Sequence, residues 1–145
     1  MTDSCPPGPP KPYDRYDEVS YTPHPRNIPL ARRHVAGLTI AWGHPALAGD
    51  AALLASELCT NALLHGSLRD RLFRVETTLT PTTLRIAVTD PRAERLPTPS
   101  PSHPNDQSGR GLHIVRILAA RWTVERLTVG KRVWAELNIP TSRDA

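Results

Sequence analysis

The segment from Ala46 to Gly66 constrains this chain more than any other. Leu47, Leu53, Leu54, Leu58, Ala62 and Leu64 recur in it at helical intervals, the spacing that gives an α-helix one apolar face. A helix of that length with such a face must be buried against something, so it is predicted to be the core helix. Glu57, Asn61 and His65 lie four apart within it and therefore stack along one side. Three polar side chains in a row on a Leu- and Ala-rich helix form either a solvated edge or one wall of a site.

At 145 residues the chain is long enough for one core that buries roughly two-thirds of its unfolded surface. Residues 1–12 are dominated by Pro, which neither pairs in a strand nor continues a helix, and read as a disordered tail. Residues 13–145 then form a single domain. The formal charge of +4 comes from Arg far more than from Lys and is spread along the chain. It suits phosphate or an acidic partner, with no block pointing to nucleic acid. Cys5 falls in the tail and Cys59 inside the Leu-rich helix, which is no disulfide framework and suits a reducing compartment. With neither a signal core nor a run of membrane-spanning length, the expected location is the cytoplasm.

The remaining elements follow from periodicity. Tyr13, Tyr16 and Tyr21 are expected to cover one rim of the core, with Glu18 to Thr22 as a short edge strand stopped by Pro23 and Pro25. From Pro29 to Trp42 a second helix is predicted, with Leu30, His34, Leu38 and Trp42 on its inner stripe, His34 as a satisfied core histidine, and Arg32 and Arg33 outside. After Gly66 the period changes to two. Phe73, Val75, Thr77 and Leu79 share one face, Thr80 to Thr83 turn, and Leu84, Ile86 and Val88 share the face of the next strand.

Counting on by twos reaches Asp90. A carboxylate on an inward face either turns out to solvent at the Asp-Pro step or meets donors in a pocket. Residues 91–108 are rich in Pro and Ser and read as a long loop, in its functional version a lid. Gly109, Arg110 and Gly111 open a helix that continues through Leu112, Ile114, Val115 and Leu118. Glycines at a helix start allow close backbone approach and suit a phosphate. Trp122 to Arg126 and Val133 to Ile139 form a closing hairpin. Helices segregated from strands in this order predict an α+β two-layer sandwich on a mixed or antiparallel sheet.

The segments SELCTNALLHG, VTDP, GRGLHIVRILA and GKRVWAEL together resemble the N-box, the two glycine boxes and the terminal strands of the Bergerat-fold ATPases. That family includes the histidine kinases, gyrase B and the anti-sigma-factor serine kinases. The similarity covers about residues 26–140, and the short length and the GRGL and VWAEL segments are most similar to the actinobacterial anti-sigma-factor kinases.

The resemblance implies ATP and Mg²⁺ as cofactors. It matches Asn61 to the metal, Glu57 to the general base, Asp90 to the adenine amino group, and Gly109, Arg110, Gly111 and Leu112 to the phosphate segment. It further implies a serine/threonine kinase that phosphorylates an anti-sigma-factor antagonist and sequesters a sigma factor, with no membrane or direct nucleic-acid partner, and with homodimers common in that branch. The chain departs from the pattern after Asp90, where Pro91, Arg92, Ala93 and Glu94 replace the expected glycine. That departure favours a second reading, a non-catalytic interaction module of the same fold with weakened or lost ATP binding. A third reading makes Leu112 to Ala120 a DNA-recognition helix.

Overall fold

A computed structural model describes residues 13–66, 72–90, 107–127 and 130–140. The elements are β1 (Arg15–Tyr21), α1 (Asn27–Ala41), a 3₁₀ turn (Pro45–Leu47), α2 (Ala48–Gly66), β2 (Phe73–Leu79), β3 (Thr83–Asp90), α3 (Gln107–Leu118), β4 (Arg121–Arg126) and β5 (Lys131–Asn138). The five strands form one sheet in the order β1-β2-β3-β5-β4, and every neighbouring pair is antiparallel. The expected α+β two-layer sandwich is therefore present, with an antiparallel sheet.

The core lies between that sheet and the helices. Phe73, Val75, Thr77 and Leu79 of β2, Leu84, Ile86 and Val88 of β3, and Val133, Ala135 and Leu137 of β5 are buried, the alternation that period two requires of a one-sided sheet. Against them pack Leu54, Ala55, Leu58, Cys59 and Ala62 of α2, with Ala31 and Val35 of α1 and Val115 of α3. Helix α2 is the middle helix, in contact with α1, with α3 and with β3. Full burial of side chains such as Leu54 and Leu58 contributes about 1.5–3 kcal/mol each. Cys59 is completely buried and burial pushes its thiol up to about 12, so it behaves as a small hydrophobe, as expected.

Four expectations need correction. In α1 the buried stripe is Ala31, Val35 and Thr39, while Leu30 is 47% exposed. Trp42 packs against the core as expected, but within the helix the inner face is rotated from Leu30, His34 and Leu38 toward smaller and β-branched residues. Thr39 is accommodated there by donating its hydroxyl to the Val35 carbonyl at 2.8 Å. His34 is not a core histidine: its Nε2 meets Asp17 Oδ2 of β1 at 2.8 Å on the exposed side of the helix.

The edge strand runs over Arg15–Tyr21, not Glu18 to Thr22, since all seven residues pair with β2. Tyr21 does cover the core rim, stacking on Phe73 at 5.7 Å. The helix α3 starts at Gln107, so Gly109 and Gly111 lie within the helix, not ahead of it. The tail 1–12 and residues 91–106 of the expected lid lie outside the described residues. Among the described residues no helix is long and apolar enough to cross a membrane.

Candidate functional site

Strand register fixes which chain segments meet. Tyr21 pairs with Phe73, Arg74 with Thr89, and Asp90 with Lys131, so these residues mark one end of the sheet. Helix α1 starts just after β1 at that end, and the short turn through Pro45–Leu47 sends α2 back toward it. Helix α3 stops three residues before Arg121, which pairs with Glu136 toward the opposite end. Its N-terminus therefore points to the Asp90 end. The last turns of α2, the end of β3 and the start of α3 converge there, although the sequence separates them by tens of residues.

Each element brings a distinct chemistry. Asn61, 5% exposed, has a buried side-chain oxygen, Oδ1, with no hydrogen-bond partner among the described residues. Leaving such an acceptor unmet in the folded protein costs about 1–3 kcal/mol, a cost a ligand can offset. Glu57, one turn earlier, is half-buried, and burial raises its carboxyl above the ordinary glutamate value, as desolvation disfavours the charged form. Both flank the fully buried Leu58, so packing holds the helix on which they stand.

Asp90 ends β3 with 5% exposure. Of the two alternatives for this carboxylate, turning out to solvent is excluded by its burial: the strand parity of Leu84, Ile86 and Val88 carries through to it. In α3, Gly109, Arg110, Gly111 and Leu112 belong to the first turns. A helix leaves its first four amides without intrahelical acceptors, which here are those of residues 107–110, and it carries a partial positive charge at that end. The side chains of residues 107–112 and of His65 lie outside the described residues, as does the departure at residues 91–94.

A buried carboxylate, an unmet amide oxygen and a helix N-terminus at one end of a sheet suit a ligand with amino-group donors at one point and phosphates at another. A family model for the histidine kinase-like ATPase domain matches residues 21–137. The chain belongs to that family. A search of curated proteins finds no match to the chain.

As a histidine kinase-like ATPase domain, the chain is an ATP-binding protein, and its chemistry is of the ATP-using, kinase or ATPase type. The residues present fit the nucleotide: Asp90 offers a buried acceptor, and Asn61 Oδ1 offers an oxygen that has no partner among the described residues. Sequence reasoning missed Lys131, which the β3–β5 register sets opposite Asp90. No local signal could have shown it, because that pairing joins residues far apart in sequence.

Proposed function

We propose that this ATPase domain is a protein serine/threonine kinase of the anti-sigma-factor type, acting in the cytoplasm. It would phosphorylate a small antagonist protein and sequester a sigma factor. The observation that carries the proposal is the pairing of Asn61 with Glu57 on consecutive turns of α2: a buried amide oxygen with no partner among the described residues beside a carboxyl raised by burial.

Asn61 Oδ1 would hold Mg²⁺, a hard cation that prefers oxygen ligands and takes its remaining ligands from phosphate oxygens and water. Bound there, the cation would neutralise charge on the phosphates. Glu57 would accept the proton of the attacking serine hydroxyl as its oxygen bonds to the γ-phosphorus and the bond to the ADP oxygen breaks. A carboxyl with a raised proton affinity is the better base for that step. Asp90 would accept a hydrogen bond from the adenine amino group, and the amides opening α3 would face the phosphates.

The test is transfer of labelled phosphate from ATP to a serine-bearing antagonist, beside calorimetric titration with ATP in the presence and absence of Mg²⁺. Saturable Mg²⁺-dependent binding, with transfer abolished by Asn61→Ala, supports the kinase. A wild-type protein that binds no ATP at millimolar concentration overturns it.

A further inference from the structure

Asp90 is buried at the end of β3, and a buried carboxylate is costly without a counter-charge or donors. Its in-register partner across the β3–β5 ladder is Lys131. The sequence holds only one other lysine, Lys11. Parity puts Lys131 on the same side of β5 as the buried Val133, Ala135 and Leu137, the side to which Asp90 belongs on β3. Directly opposite residues of an antiparallel pair have Cβ atoms about 4.5–5.5 Å apart, well within reach of a lysine ammonium.

The next residue in the same row is the exposed Arg126 of β4, paired with Lys131. Like charges directly opposite repel, so Arg126 biases the Lys131 ammonium away from itself and toward β3. The row Asp90–Lys131–Arg126 thus sets one carboxylate beside a cation with a second cation behind it, at the sheet end where the nucleotide site lies.

We infer that Lys131 is the positioning residue of the site: it orients the Asp90 carboxylate for the 6-amino group of adenine and so contributes to base selectivity. This rests on the ATP reading of the site. The glycine expected after Asp90 is replaced by Pro91, so a support for Asp90 from the neighbouring strand takes on more weight here.

The decisive experiment is calorimetric titration of wild type, Lys131→Met, Lys131→Arg, Asp90→Asn and the Lys131→Met/Asp90→Asn double variant. The titrants are ATP and purine riboside triphosphate, which lacks the 6-amino group. Lys131→Met is expected to weaken ATP about 3- to 20-fold, in the range of contacting pairs. Lys131→Arg should restore most of that loss. The effect should vanish with the amino-less nucleotide and in the Asp90→Asn background.

Equal weakening of both nucleotides, or an undiminished effect in the Asp90→Asn background, overturns the inference, as does unchanged ATP affinity. Urea unfolding of the same four-member cycle without nucleotide separates this from failure of the ATP reading. Non-additive midpoints support the Asp90–Lys131 pair even if no nucleotide binds, and additive midpoints refute it.

Discussion

Two of the partly or largely buried glutamates, Glu57 and Glu136, are treated in opposite ways. Glu136, on the face of the sheet turned away from the helices, is 8% exposed. Its carboxylate accepts hydrogen bonds from Arg85 Nε and Arg121 Nε, each at 2.8 Å. Arg85 in turn lies over the Trp134 ring at 3.9 Å, and Arg121 also reaches Asn138 Oδ1 at 2.8 Å. Burial alone would raise the Glu136 carboxyl, but the hydrogen bonds and charges of Arg121 and Arg85 outweigh it and hold it below the ordinary value.

Among the described residues Glu57 has burial without that compensation, and its carboxyl is raised. If Glu57 is the base of the proposed function, the difference separates a carboxylate used for structure from one held ready for chemistry. Where the fold supplies donors, the anion is stabilised and inert; where it withholds them, the group keeps a higher proton affinity at some cost in stability.

The largest effect is expected on removing the proposed proton acceptor. Glu57→Gln is expected to lower phosphoryl transfer by about 10²–10⁴-fold while leaving ATP affinity nearly unchanged, as checked by labelled-phosphate transfer and calorimetry. A variant that keeps its transfer rate would show Glu57 to be mere surface. Glu136→Gln should do the reverse. It removes an anion that two arginines address, and because those arginines remain partly exposed the loss of stability is about 1–2 kcal/mol, read as a lower urea midpoint with unchanged ATP binding.

The two residues should also separate by pH. A lowered folded-state value means that Glu136 contributes stability above its unfolded value and loses it as pH falls through the folded one. For Glu57 the sign is opposite: its contribution is complete below the unfolded value and is lost as pH rises through the raised one. Urea midpoints followed from acid to neutral pH should therefore lose part of their acid limb in Glu136→Gln. In Glu57→Gln the midpoint should rise at neutral pH, by under about 1 kcal/mol given the partial exposure. An unchanged profile in both would remove the contrast. The smallest effect is expected at His34→Ala, where an exposed pair with Asp17 contributes about 0–1 kcal/mol; a larger loss would make α1–β1 tethering part of the fold's stability.

The parts of the site carried by one element were legible early. The four-residue spacing of Glu57 and Asn61 requires only that the segment be helical, and the parity from Leu84 to Asp90 requires only an unbroken strand. The inner face of α1 was not legible, because Leu30 and Leu38 outweigh Ala31 and Thr39 in hydrophobicity. Burial follows how closely α1 packs, which favours the smaller side chains.

Local spacing and residue type thus determined the elements, the order of helices and strands, and the candidate groups on α2 and β3. The tertiary structure alone decided that Asp90 is buried instead of turning to solvent, that register lines up Lys131 and Arg126 beside it, and that the Glu57 and Glu136 carboxyls are shifted in opposite directions. The physical reason is that strand register and burial join residues distant along the chain, and the electrostatic free energy of a group depends on which neighbours and how much solvent surround it.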